Sequence, residues 1–276
     1  MKDWWIDVIT EAIKAEMLKF PRGTKPVNAI GSQILVGFCD GALPAYAAGV
    51  YVRWKLKEPD LQDNEFSVTL LCAKAKVNSC TIPKSELNGA TLLSRLVKAA
   101  VRAIVDTPSS VVCAGDSQCV ISSLYLSNRK FKPYFHNRLT EIRENFDYIK
   151  KVCPVKDFQY IPGKMNPADI ATREDGKLAE IGIDSEWQSP SFLKKSRETW
   201  PLSRDFVKSA LPLEEMRKKN FASCLAIQAT PPLQQLWKRI EKICNYSNDW
   251  GKVLRIVARV SKRLVWIFLS LMELNY

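Results

Sequence analysis

Three strand-length apolar runs follow one another early in this chain, and they constrain its fold more than any other feature. They are residues 33–39 (QILVGFC), 45–54 (AYAAGVYVRW) and 65–77 (EFSVTLLCAKAKV). Asp40-Gly41 follows the first run, and a polar turn from Pro59 to Asn64 precedes the third. The first run is apolar enough to be buried on both faces. Short connections join antiparallel neighbours, so a meander is expected. Two more apolar runs, 110–114 and 155–161, come later with helical patterns between them. The order three strands, helix, strand, helices, strand, helix predicts an α/β fold: a mixed five-stranded sheet with helices packed on it.

The long helix expected over 83–106 shows its pattern from Leu87 through Ala90, Leu93, Leu96, Val97, Ala100, Val101 and Ile104. That spacing makes one broad apolar face. Pro83 suits a first turn, where its missing N–H costs little. Glu86 lies seven positions before Leu93 and eleven before Val97, which puts it on the apolar stripe. A carboxylate there needs a partner, a shifted pKa or a metal. The plainer reading is a glutamate at the stripe's edge, reaching solvent or a lysine. Shorter helices are expected over 117–126, through Leu139, Ile142, Phe146 and Ile149, and from Asn166, an N-cap followed by proline.

Charge and cysteine content narrow the class. Lys and Arg total 41 against 29 Asp and Glu, a net charge of +12, which suits a polyanionic partner, nucleic acid before membrane. Residues 121–165 hold nine Lys/Arg against four acids, and residues 216–276 hold eleven against three. A single histidine argues against a zinc finger or a Ser-His-Asp site. The eight cysteines form no C-x-x-C pair and read as buried free thiols in a reducing compartment. Asp3, Asp7, Glu11 and Glu16 break any signal-peptide core, and no window of 18 apolar residues predicts a membrane span.

Four segments are expected. Residues 1–30 are an N-terminal helix (4–18, with Trp5, Ile9, Ile13 and Met17 on one face) and a linker. Residues 31–175 are the α/β domain. Residues 176–232, with Ser189-Pro190, Trp200-Pro201, Leu211-Pro212 and Pro231-Pro232, are an irregular connector. Residues 233–276 are a basic helical extension, with helices over 233–245 and 250–271. The second of these carries Lys252, Arg255, Arg259 and Lys262 beside an apolar stripe of Val253, Val257, Val260 and Leu264.

Four acids stand at the edges of these elements. Asp40 ends the first strand, Asp116 ends the fourth, Glu86 lies on the long helix, and Asp169 lies in the first turn of the last. If strands one and four are neighbours, Asp40 and Asp116 meet at one edge and the helix brings Glu86 there. Four carboxylates cannot all stay ionised together without cations. Hard oxygen donors favour Mg²⁺ or Mn²⁺, and a two-metal site would activate water and stabilise a leaving oxygen. Each acid also has a local reading: Asp40 as a turn residue before Gly41, Asp116 as an N-cap, Asp169 as a partner of the helix dipole.

Taken together, the motifs resemble the ribonuclease H domain of BEL/Pao-type LTR retrotransposon polyproteins. Residues 38–46, FCDGALPAY, stand where that family reads F-x-D-A-S-x-x-A-Y. TIPKSEL (81–87) is similar to its T-I-P-R-x-E-L, Asp116-Ser117 to its D-S, and NPADIATR (166–173) to its N-P-A-D-x-x-S-R. Tyr134 to Arg138 (YFHNR) is similar to F-V-x-N-R, and the stretch from Glu186 to Leu193 to the family's tryptophan-proline connector. Tyr246-Ser247 through Val260 resembles the basic helical stretch before the integrase. The acids are 46, 30 and 53 residues apart. Ala42, Ala47 and Thr172 depart from the family's Ser, Gly and Ser, and His136, at a variable position, is expected on a helix surface.

The resemblance implies a ribonuclease H-like fold over 31–175 and an endonuclease that cleaves the RNA strand of RNA–DNA hybrids. It implies two Mg²⁺ or Mn²⁺ ions on Asp40, Glu86, Asp116 and Asp169. Arg129, Lys130, Lys132 and Arg138 are the expected nucleic-acid contacts. Implied partners are the hybrid and other polyprotein segments such as reverse transcriptase and integrase, with no membrane. The implied location is the cytoplasm, a virus-like particle or the nucleus. Two other readings stay open: an inactive or domesticated fragment that binds nucleic acid or serves structurally, and a DNA nuclease of the same fold.

Overall fold

The computed structural model describes residues 23–216 except 61, 63, 78, 126–130, 157, 174–179, 181–184 and 204–211, with Thr10 and Ile13 besides. The chain divides into two compact units, Met1–Arg217 and Lys218–Tyr276, and every described residue belongs to the first. Outside the described residues lie the expected helix over 4–18 (all but Thr10 and Ile13), Arg129 and Lys130, and both C-terminal helices.

The three leading runs form β1 (Ala29–Gly41), β2 (Ala45–Leu56) and β3 (Phe66–Val77). Helix α1 (Ile82–Ala103) follows, then β4 (Ser110–Gly115), α2 (Gln118–Tyr125), α3 (Pro133–Lys150) and β5 (Gln159–Tyr160). The sheet order is β3-β2-β1-β4-β5. β1 pairs antiparallel with β2, and β2 with β3, the expected meander. β4 joins the other side of β1 in parallel, and β5 joins β4 in parallel, so the sheet is mixed.

One face of the sheet is covered by helices. Leu87, Ala90, Leu93 and Val97 of α1 are buried against Leu35, Val50, Val52 and Val111. Each large aliphatic side chain buried this way stabilises the fold by about 1.5–3 kcal/mol. α3 packs against α1 through Leu139, Ile142 and Ile149, and Asn145 Nδ2 donates to Ser94 Oγ at 3.0 Å between the two helices. Two glycines let α1 come close to the end of β1. A Cβ at Gly41 would lie 2.4 Å from the Glu86 backbone nitrogen, and one at Gly89 would lie 2.5 Å from the Asp40 carbonyl oxygen. No side chain fits there, so the small residues set how near Glu86 comes to Asp40.

The opposite face is covered by the connector. Leu193 and Trp200 are buried with Val36, Phe38, Tyr51 and Val112. Tyr51 Oη donates to the Trp187 carbonyl at 2.7 Å. Arg53, itself buried, donates from Nε to Leu193 O and from Nη2 to Lys195 O, both at 2.7 Å. These bonds tie the guanidinium to two carbonyls of the segment that holds the short 3-10 turns. The described residues 185–203 of the expected connector are thus part of the packed core.

Two elements differ from expectation. The strand expected over 155–161 is interrupted: Val155 bridges Val111, and regular pairing resumes only at Gln159–Tyr160. The helix expected from Asn166 is a 3-10 helix, Pro167–Ala171. Asn166 and Thr172, at its two ends, are tied by their side chains to β1, which holds the segment to little more than one turn.

Candidate functional site

The site lies where β1 and β4 end. Cys39 is paired with Gly115 in the parallel register, so Asp40 and Asp116 are the next residues on adjacent strands. Their carboxyls interact directly, and Glu86 comes from the first turns of α1 into the same cleft. Cys39, Gly41, Gly115, Ser117, Val120 and Phe158 complete much of its lining. Asp40 is buried, and Glu86 and Asp116 are half-buried.

Burial and mutual repulsion shape the protonation of this cluster. Asp116 is pushed up to about 7, first by desolvation and then by the charge of Asp40, with Glu86 adding to it. Desolvation also raises Glu86, against the pull of the Ser117 hydroxyl, which donates to Glu86 Oε2 at 2.8 Å. Burial and the neighbouring acids raise the Cys39 thiol as well, which keeps it neutral. Ser117 also accepts from Val120 N at 3.2 Å, so Ser117 rather than Asp116 caps α2 by its side chain.

Asp169 is held differently. It rides on the 3-10 helix, where its carboxylate lies 3.6 Å from Arg173 Nε and lines a neighbouring cleft of about 530 Å³ with Lys164, Trp187 and Phe192. The same turn reaches Asp40 by another route. Thr172 Oγ1 donates to Asp40 Oδ2, and Asn166 Nδ2 donates to Cys39 O at 3.0 Å. Gly163 lies alongside Asp116, since a Cβ there would stand 3.2 Å from Asp116 Oδ2. The structure thus gathers Asp40, Glu86 and Asp116, and sets Asp169 beside them on a separate wall. Ser117, Asn166 and Thr172 are the partners that reading the acids alone misses. Their signal in the sequence is the D-S pair and the six-residue interval from Asn166 to Thr172.

Of the expected nucleic-acid contacts, Lys132 is exposed at the start of α3, and its backbone N–H donates to Glu215 O at 2.7 Å. Arg138 Nη1 donates to Glu141 Oε2 at 3.1 Å, and Arg95 engages the same carboxylate. His136 is exposed on α3. All six cysteines among the described residues are free thiols.

The donor set suits a hard divalent cation. Carboxylate oxygens surround the cleft, and the repulsion that raises Asp116 and Glu86 is what a cation would relieve. Among the described residues, however, no three His, Cys, Asp or Glu side chains already stand at metal-ligand spacing.

A sheet in the order 3-2-1-4-5, with the meander antiparallel and β4 and β5 parallel to β1, defines the ribonuclease H-like fold. Residues 1–117 match the family model of the Pao retrotransposon-like RNaseH-like domain. Solved structures with a similar arrangement include the N-terminal RNase H domain of a Mycobacterium tuberculosis protein (13% identity, TM-score 0.32, covering 47% of this chain and 87% of that one). RNase H1 of the archaeon Halobacterium salinarum is another, at 15% identity and TM-score 0.29 over 47% of this chain and 86% of that one. A third is LC11-RNase H1, solved in complex with RNA/DNA hybrid, at 16% identity and TM-score 0.32 over 48% and 88%. No curated protein matches the chain. No helix among the described residues is long and apolar enough to cross a membrane.

Proposed function

We propose that this chain is a metal-dependent endoribonuclease that cuts the RNA strand of RNA–DNA hybrids, with Asp40, Glu86, Asp116 and Asp169 as its catalytic groups and metal ligands. The observation that carries this reading is the meeting of Asp40, Asp116 and Glu86 in one cleft, with Asp116 driven to about 7. A purely structural cluster of buried and half-buried acids, with no cationic partner among the described residues, would be a costly way to build a core. Strongly perturbed carboxyls in a cleft are a common mark of a functional site.

Two bound Mg²⁺ or Mn²⁺ ions would supply activation of water and charge stabilisation of the leaving 3′-oxygen. The chain's own residues prepare that chemistry. With its carboxyl raised to about 7, Asp116 is partly protonated near neutral pH, and a bound cation would favour its carboxylate form. Ser117 orients Glu86 by its hydrogen bond. Asp169, carried on the 3-10 turn beside Arg173, would complete the ligand set. Lys132 and Arg138, with Arg129 and Lys130, would follow the phosphate backbone, and Arg138 would exchange Glu141 for a phosphate. Discrimination would rest on hybrid shape and the 2′-OH rather than on base edges. In this reading the domain works beside the reverse transcriptase and integrase of a polyprotein, in the cytoplasm, a virus-like particle or the nucleus.

The test is a side-by-side cleavage assay on RNA–DNA hybrid, double-stranded DNA and double-stranded RNA, with and without Mg²⁺. The expected result is Mg²⁺-dependent cutting of the RNA strand of the hybrid alone. Cutting of DNA would make it a DNA nuclease of the same fold. A folded chain that binds hybrid and leaves it intact would make it a nucleic-acid-binding fragment.

A further inference from the structure

The geometry points to Thr172 as a positioning residue that sets the Asp40 carboxylate for cation binding. The inference rests on the function proposed above and adds a residue to it. Thr172 is 2% exposed, and its hydroxyl donates to Asp40 Oδ2. Asn166, at the other end of the same 3-10 helix, is 5% exposed. Its Oδ1 accepts from Ala168 N at 3.2 Å, and its Nδ2 donates to Cys39 O at 3.0 Å. The two ends of one short helix are thus fastened to two consecutive residues of β1, and the second fastening is on a proposed ligand.

The Thr172 hydroxyl has one proton and two acceptors in reach, because Asp169 O lies 2.9 Å from Oγ1. A bond back to that carbonyl would be a local feature of the turn and nothing more. Two observations favour Asp40. The Asp169 carbonyl already accepts from Thr172 N at 3.0 Å and from Arg173 N at 3.2 Å, so it is satisfied. Asp40 is a carboxylate, and a charged acceptor makes the stronger bond. With Oδ2 held, the Asp40 carboxylate cannot turn freely about its terminal torsion. Partners that fix a ligand's orientation typically carry a ten- to hundred-fold share of metal affinity. Asp169 sits between the two fastenings, so the same turn fixes its position relative to Asp40.

The test measures Mn²⁺ binding by calorimetry and by the metal-induced rise in melting temperature, using the full chain. Thr172→Val keeps the shape and removes the donor, and Thr172→Ser keeps the donor. The expected result is Mn²⁺ affinity weakened about ten- to hundred-fold in Thr172→Val and near wild type in Thr172→Ser. If Thr172→Val does not fold, Thr172→Ala makes the same comparison. A donorless variant that folds and binds Mn²⁺ within about twofold of wild type would overturn the inference and leave the proposed function standing. A wild-type chain with no response to Mn²⁺ would overturn the functional reading, and the role of Thr172 with it.

Discussion

At the carboxyl ends of β1 and β4, the parallel register between the two strands runs to the residue before each aspartate, whereas residues 163–173 meet the same edge through two short 3-10 turns. The first region places Asp40 and Asp116 by register alone, and a helix pressed in by two glycines adds Glu86. The second places Asp169 by side-chain fastenings, Asn166 to Cys39 and Thr172 to Asp40. The electrostatics differ in the same way. Asp116 and Glu86, crowded by the neighbouring acids, are raised, while Asp169 has Arg173 beside it and a side chain 43% exposed. One region concentrates uncompensated negative charge, and the other brings an acid with its own counter-ion. The first therefore has the stronger claim on a cation, and the second is suited to completing the site once a cation or substrate is there.

The largest expected effect tests the strand-end region. Asp116→Asn removes a ligand charge at its centre. It should lower hybrid cleavage by roughly 10²–10³-fold, the size of losing one preorganised electrostatic contact, with the fold intact by circular dichroism. Loss of less than about tenfold would mean that the cluster is not where the chemistry occurs.

Next comes the packing that joins helix to strand. Gly89→Ala puts a Cβ against the Asp40 backbone carbonyl, which cannot give way as a side-chain tip can. The variant should lose about 2 kcal/mol of stability by urea denaturation, although alanine is the better helix former. Unchanged stability would show that α1 stands off from β1.

A similar effect is expected from pH. The folded pKa of Asp116 is raised from 3.8 to about 7, so its ionisation opposes folding. The opposition begins as pH passes the unfolded value and is complete above about 7. Metal-free protein should therefore lose about 3 kcal/mol of stability as pH rises from 4 to 7, and saturating Mg²⁺ should restore much of it. Asp116→Asn should flatten the curve. A wild-type curve already flat across that window would remove the repulsion from the account.

The smallest effect belongs to the turn. Asp169→Asn leaves the crowded pair untouched and should lower cleavage by only about tenfold, mostly through weaker metal binding. A loss equal to that of Asp116→Asn would erase the distinction between the two regions.

Much of this was legible in the sequence because it depends on local period. The apolar runs of β1, β2, β3 and β4 and the stripe of α1 appear within a few residues of their expected bounds. The placement of Asp40, Glu86 and Asp116 followed from strand ends and helix phase. What was not legible depends on partners far away in the chain. Nothing near Thr172 announces a bond to a residue 132 positions earlier, or near Arg53 one to Leu193, 140 positions later. The connector was read as irregular from its prolines, and among its described residues are two short 3-10 helices. Its role as the second layer depends on Leu193 and Trp200 meeting a sheet face whose other side is covered by α1. The helix expected from Asn166 had a proper cap and proline, yet its side-chain ties to β1 cut it short. Asp169 was expected among the other acids because a set of four was read as one cluster, and register carries only two of them to the same point.

The central claim is that the cleft between Asp40, Glu86 and Asp116 performs the chemistry. Glu86→Gln tests it most directly, because it keeps the shape and removes one charge that only the site requires. The measurement is single-turnover cleavage of an RNA–DNA hybrid in saturating Mg²⁺, with hybrid affinity followed in parallel. The account predicts that affinity is held while cutting of the RNA strand falls by roughly 10²–10³-fold. Cleavage by Glu86→Gln at the wild-type rate would contradict it.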